Sequence, residues 1–266
     1  MHARSARLAF ALTIIAPVLT GAVLSAQNVE YAPGTMRYRI STTTKGSQTS
    51  GANSASFDIV VLEDLTVKLA KPSRDTVTAT ATLDSVSVKS SGGTPDVSKL
   101  KGITFVSRIS PTGKFYSAAL PQGMDAIGGQ IVDGVSHFLP SWRSNLANGT
   151  TWTDTVSGKV NQNGMDVDRT SISSYVVKGD STIRGMKAMR IHRTTAVKAT
   201  GAGTMQGAAV SMESTGTSVG SFFVTATGKF LGSDSVDDLG VKIQVLGQNV
   251  EIGLKQNGVT HITTLM

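Results

Sequence analysis

Gly216-Thr217-Ser218-Val219-Gly220 has the G-x-S-x-G spacing that presents a serine nucleophile on a sharp turn. That chemistry needs a strand before the serine and a helix after it, so that the hydroxyl stands clear of a sheet. Here Ser221-Phe222-Phe223-Val224-Thr225 follows, which reads as strand, and the chain lacks alternating strands and helices. Ser98-Lys99-Leu100-Lys101 fits S-x-x-K but lies in a loop without the partner motifs of that chemistry. Neither serine is expected to act as a nucleophile.

Metal chemistry is no better supported. His137, His192 and His261 lie far apart with no second ligand at short range, so only folding could assemble them into a site. They are expected to be separate side chains, with His137 at a helix end where it suits the dipole. Asp166 and Asp168 alternate on a strand and therefore share a face. Asp234, Asp237 and Asp238 sit in a run lacking the loop glycine and closing glutamate of an EF-hand, and read as solvated turn acids. The chain has no cysteine, which removes thiol nucleophiles, Cys-based zinc or iron–sulfur sites and a lipid-bearing N-terminal cysteine. No catalytic residue, metal site or cofactor is assigned.

Positive charge gathers on Arg184, Lys187, Arg190, Arg193 and Lys198, along one predicted strand and its approach. These groups could meet an anionic headgroup. The expectation is instead the wet face of a strand whose other side carries Met189, Ile191 and Val197. The formal charge of the whole chain is +7, with only 16% charged residues, which describes a mildly basic surface. Aromatic residues make up 5% and no nucleic-acid motif occurs, so nucleic acid is not an expected partner.

The N-terminus gives an address. His2, Arg4 and Arg7 precede an apolar run from Leu8 to Leu24, then small Ser25 and Ala26, the layout of a secretory signal peptide over residues 1–26. Cleavage is expected after Ala26, with Ser25 as the alternative because Leu24 is large for its place. The run is near the lower limit for spanning a bilayer and holds Pro17, so an uncleaved anchor ranks second. Losing Arg4 and Arg7 leaves a charge of +5. The expected product is one soluble, exported β-rich domain over 27–266, periplasmic or extracellular, not N-terminally lipidated and without a stable transmembrane span.

Strand patterns fill that domain. In Ser54–Lys71, Ala55, Phe57, Ile59, Val61, Leu65, Val67 and Leu69 share one face, which indicates a half-buried antiparallel strand. Glu63 interrupts that face, so a bulge or bend near the middle is predicted. Asp75–Lys89 alternates likewise, its phase shifting before Val86 and Val88, which again suggests a bulge. Gly102–Ser110 and Lys114–Ala118 suggest a hairpin around Ser110-Pro111-Thr112-Gly113. Later strands are expected at about 151–161, 165–178, 186–199, 204–213, 219–227, 229–235, 240–246, 249–255 and 259–265. Asn163-Gly164, Asn257-Gly258 and Gly179-Asp180 are the expected turns.

One segment breaks the rhythm. Met124, Ile127, Ile131, Val135 and Phe138 recur at helical steps, predicting a helix over about 122–139 between Pro121 and Pro140. Its four glycines cost about 1 kcal/mol each relative to alanine, so it needs an apolar partner. The predicted fold is therefore mainly β: a large curved antiparallel sheet, half-barrel-like, with one principal helix on its concave face, plus an N-terminal signal-peptide helix. One helix cannot cover so broad a sheet, which must either close on itself or keep an apolar cavity. The candidate lining is Phe57, Ile59, Val61, Met124, Ile127, Ile131, Val135, Phe138, Met189 and Ile191. Methionines at 124, 165, 186, 189, 205 and 212 could add adaptable apolar surface, although filling core gaps is the expected role.

The signal peptide, the early strands at 54–71 and 75–89, the mid-chain helix, Trp152 after Gly149 and the glycine-rich strands from Gly201 together resemble, in shape, the periplasmic lipoprotein-carrier fold. They are also similar to the related mycobacterial lipid-binding lipoproteins and to secreted bacterial proteins linked to that fold. The resemblance spans nearly the whole exported chain and implies binding of acyl chains in an apolar pocket. The carriers' additional helices and the mycobacterial lipidated cysteine have no counterpart here. The expected function is a non-enzymatic binder of a lipid or other apolar small molecule. The alternative is a structural or interaction protein of the envelope with a filled core, its protein partners unspecified. An outer-membrane barrel is disfavoured by only 2 Trp and 4 Tyr and by the C-terminal Met266.

Overall fold

The computed structural model describes residues 28–119, 126–162, 165–205, 207–248 and 250–265. The expected signal segment, Pro121, Met124 and the Asn163-Gly164 turn lie outside them. The strands are β1 (Gly34–Ser50), β2 (Asn53–Leu69), β3 (Val77–Ser90), β4 (Thr104–Ile109) and β5 (Phe115–Ala119). After the helix α1 (Ala126–Ser136) come β6 (Thr151–Gln162), β7 (Met165–Ile183), β8 (Met186–Met205), β9 (Ala208–Val224), β10 (Phe230–Val245) and β11 (Val250–Leu265).

All eleven form one antiparallel sheet in the order β5-β4-β3-β2-β1-β11-β10-β9-β8-β7-β6. Each half is a meander, and the β1–β11 pair joins them. The edge strands β5 and β6 do not pair among the described residues, so the sheet is open. That order fixes where the helix must go. The chain leaves one edge at β5 and re-enters at the opposite edge with β6, and the described part of the connection, residues 126–150, runs across a face of the sheet.

The crossing segment covers only part of that face. Val132 and Val135 of α1 join the main core with Tyr38, Leu65, Val67, Val77, Phe105 and Ile191. Irregular chain supplies the rest. Val29, Tyr31, Trp142 and Leu146 are all buried. Val29 N–H donates to Ser144 O at 2.8 Å, Trp142 Nε1 to Val29 O at 2.8 Å, and Tyr31 Oη to Pro140 O at 2.8 Å. These bonds satisfy backbone that would otherwise be buried unpaired. The expected lid of 122–139 ends three residues early, at Ser136, and shares its task with two straps. It stops at Ser136 because Pro140 disfavours helical geometry at Leu139. The last turn tightens, with His137 N–H reaching Gly134 O at 3.3 Å and Phe138 N–H reaching Val135 O at 3.4 Å.

Strand lengths also depart from expectation. The sequence pattern does not mark β1, because its apolar alternation stops after Met36, Tyr38 and Ile40 and gives way to Thr, Ser, Gly and Gln. Pairing with β2 on one side and β11 on the other carries it to Ser50. Asn257-Gly258 is not a turn. It lies inside β11, opposite Asp238 and Asp237 on one side and Lys45 and Thr44 on the other. Continuous ladders on both flanks outweigh the local turn preference, and the expected strands at 249–255 and 259–265 become one. The pieces at 229–235 and 240–246 merge in the same way into β10. Gly179-Asp180 sits at a bulge in β7, and the turn falls instead at Arg184-Gly185, both at positive φ (50° and 79°).

Of the two predicted bulges, the one in the strand at 75–89 is present and the one in the strand at 54–71 is not. Leu65 pairs with Leu83 and Asp64 with Ser85, leaving Asp84 of β3 as the extra residue. Against β1, β2 runs without a break. Glu63 therefore stays on the apolar side.

Candidate functional site

Cross-strand partners share a face, so the ladder registers give the inner surface row by row. One row runs Val86, Glu63, Ile40, Ile262, Ser233, Phe222, Ile191, Val177. The next runs Val88, Val61, Thr42, Thr260, Ser235, Gly220, Arg193, Tyr175, Trp152. A cavity of about 420 Å³ lies over the middle of these two rows, roofed by Ile131, Gly134, Val135 and Phe138. That volume falls in the range of small-molecule sites. One side of it comes from β2 and the other from β8, although four strands lie between them.

A flat sheet could not enclose such a space. Arg184, in the β7–β8 turn, donates to the backbone carbonyl of Thr264 on β11. Strands about 4.8 Å apart would put that carbonyl out of an arginine's reach, so the sheet coils here. Glycine permits the coil. A Cβ on Gly220 would fall 2.9 Å from Ser235 Cα and closer still to Asp234 O.

Glu63 is the chemical outlier of the cavity. It is only 6% exposed, flanked along β2 by Val61 and Leu65, and has no hydrogen-bond or ion-pair partner among the described residues. Burial raises its carboxyl to about 7. Arg193 contributes a half-buried guanidinium from β8, and His137 stands at the rim with its Nδ1 2.8 Å from Ser136 Oγ. Asp234 and Ser221 border the cavity, but alternation turns their side chains to the outer face. There Asp234 Oδ1 lies 2.6 Å from His261 Nδ1, and Ser221 Oγ accepts from Arg190 Nε at 3.1 Å.

Of the candidate lining residues, Val61, Ile131, Val135 and Phe138 border the cavity. Ile191 is wholly buried in the core and Met189 packs against it. Ile59 and Phe57 share the inner face but stand one and two rows beyond, where Ile59 has Thr44 and then Gly258 as cross-strand partners. The side chain of Ile127 is not described, and Met124 lies outside the described residues. Farther along the same face, Met165, Val167, Ala199 and Val210 bury one another with Met212, Ile243 and Val245.

Sequence reasoning missed Glu63 and Arg193, though both signals were present. Glu63 sits at apolar parity in a strand. Arg193 has the parity of Ile191 and Val197, so it belongs to the inner face and not to the wet one assigned from charge clustering. Ser218 lies mid-strand in β9 between Thr195 and Asp237, which rules out a nucleophile elbow. The described residues contain no cluster of three His, Asp or Glu side chains able to hold a metal. Nor is any described helix long and apolar enough to cross a membrane.

No family model and no curated protein matches the chain. Among solved structures, an outer membrane channel from Pseudomonas putida F1 aligns over 90% of this chain and 98% of its own, at 9% identity and TM-score 0.23. Neisserial surface protein A aligns over 85% and 97%, at 10% identity and TM-score 0.18. A DUF1329 family protein from Desulfovibrio piger aligns over 83% and 84%, at 9% identity and TM-score 0.17. Those scores carry no argument about role. What the fold and site define is an open antiparallel β-sheet with a helix-roofed cavity on one face.

Proposed function

We propose that the chain is an exported, non-enzymatic protein that binds an apolar or lipid-like ligand between α1 and the bowed inner face of a half-barrel-like sheet. The observation that carries this reading is the cavity of about 420 Å³ that persists under α1 with Val61, Ile131, Val135, Phe138 and Ile262 on its walls. Its walls combine apolar side chains with a few polar groups such as Thr42, Glu63 and Arg193, as small-molecule sites do. The N-terminal signal pattern supports export, and the shape-level likeness to lipoprotein carriers supports an acyl-chain ligand. The test is organic extraction of the purified protein followed by mass spectrometry. Lipid near one equivalent per chain is expected. Its absence, together with no uptake of a fluorescent fatty acid, rejects the reading.

One observation favours a second reading, an interaction protein of the envelope. On the outer face Val60, Thr43, Val259, Val236 and Val219 are successive cross-strand partners over five strands, with Val236 56% exposed. Such a row is unusual on a surface that meets only water. Val236→Lys would abolish an association made through this face while leaving ligand uptake intact.

A further inference from the structure

We propose that the cavity takes an amphiphile with a cationic amine head, seated on Glu63, with its chain along Val61, Val135 and Phe138. This inference rests on the ligand-binding reading above and names the class of ligand. A carboxyl taken out of water without a partner is costly, and the usual outcomes are neutralisation or pairing. Here the side chain is fixed on the apolar face, because β2 runs unbroken against β1 and Ile40 stands directly opposite. Its oxygens are not sealed by packing: the fully enclosed side-chain polar atom without a partner, among the described residues, is Trp152 Nε1. The Glu63 oxygens therefore open onto the cavity.

An ammonium supplies both things the carboxylate lacks, an opposite charge and hydrogen-bond donors, and beside a buried carboxyl that pair is stronger than in open water. Arg193 lines the same cavity and could instead be read as selecting an anion. It is only partly buried, and a long guanidinium side chain can reach water past its neighbours, which the short, wholly inward Glu63 cannot. His137 is already engaged with Ser136 and lies tilted against Phe115, ring centroids 4.1 Å apart. Among the described residues of the cavity, Glu63 is the charged side chain that is both buried and without a partner.

The test compares dodecylamine, dodecanol and dodecanoate at pH 8 below their aggregation concentrations, by displacement of Nile red from the full purified chain. The expected result is binding of the amine about tenfold or more tighter than the alcohol, a charge-assisted contact against a neutral one. In Glu63→Gln that ratio falls towards one. The substitution removes a buried ionisable group with little change of shape, so the variant folds. Equal affinities, a preference for dodecanoate, or an amine preference that survives in Glu63→Gln each overturn the inference. In all three cases apolar binding itself remains. If none of the three compounds displaces the dye, the ligand-binding reading falls with it.

Discussion

Glu63 and Asp64 are adjacent in the chain and face opposite sides of β2, and their carboxyls shift in opposite directions. The hydrogen bond from Arg39, with Nε 2.7 Å from Asp64 Oδ1, holds Asp64 below the ordinary carboxylate range on the outer face. Burial alone raises Glu63, from 4.5 to about 7. A raised carboxyl costs stability: below pH 4.5 it is protonated in both states and has no effect. Between 4.5 and 7 the unfolded chain ionises while the folded one does not, so stability falls with rising pH and then levels off. The full difference corresponds to roughly 3 kcal/mol as an upper figure. Glu63→Gln should therefore gain stability over the parent at pH 8 and little at pH 4, by urea unfolding of delipidated protein at both values.

Gly220 tests the coil of the sheet. Its missing side chain faces Ser235 Cα and Asp234 O, both main-chain atoms held in the β9–β10 ladder, so a Cβ there has nothing flexible to displace. Gly220→Ala should cost about 2 kcal/mol or more in thermal or urea unfolding, the scale of a backbone clash or overpacking. Gly129→Ala, whose Cβ would meet nothing within 4 Å, is the control and should be neutral or stabilising.

The core strands were legible where alternation and β-branching agreed, as in β2 and β3. They were illegible where small polar residues fill a strand whose neighbours hold it, as in the second half of β1 and around Asn257-Gly258 in β11. Turn propensity is local, whereas a ladder with partners on both flanks is cooperative and wins. The roof could be read in part: Ile131 and Val135 keep helical spacing. The straps around Tyr31 and Trp142 have no periodicity to read. Glu63 was visible as an acid at apolar parity, but a bulge would have excused it, and only the register of β2 against β1 removes that excuse.

The straps hold the roof through few bonds. Tyr31 Oη donates to Pro140 O at 2.8 Å, and its ring lies 4.1 Å from that of Trp142. Tyr31→Phe keeps the ring but leaves the buried Pro140 carbonyl without this donor, and should cost about 1–3 kcal/mol in unfolding experiments. Loosening the segment that follows α1 should also raise hydrogen exchange in residues 138–146 more than in β2 or β9.

Gly134 separates helix stability from occupancy of the cavity. It lies in α1 on the cavity wall, and a Cβ there meets nothing within 4 Å. Gly134→Ala should raise stability by up to about 1 kcal/mol, because glycine is the poorer helix former. Gly134→Trp keeps helical backbone geometry but places an indole where a ligand chain would lie. If the cavity is the binding site, this variant melts at or above the parent temperature yet no longer takes up Nile red or a fluorescent fatty acid. The same dye titration on both variants decides the matter. Uptake that persists in Gly134→Trp would place the ligand on another surface, whereas loss of uptake with retained stability ties it to the space between α1 and the row of Glu63, Ile40 and Ile262.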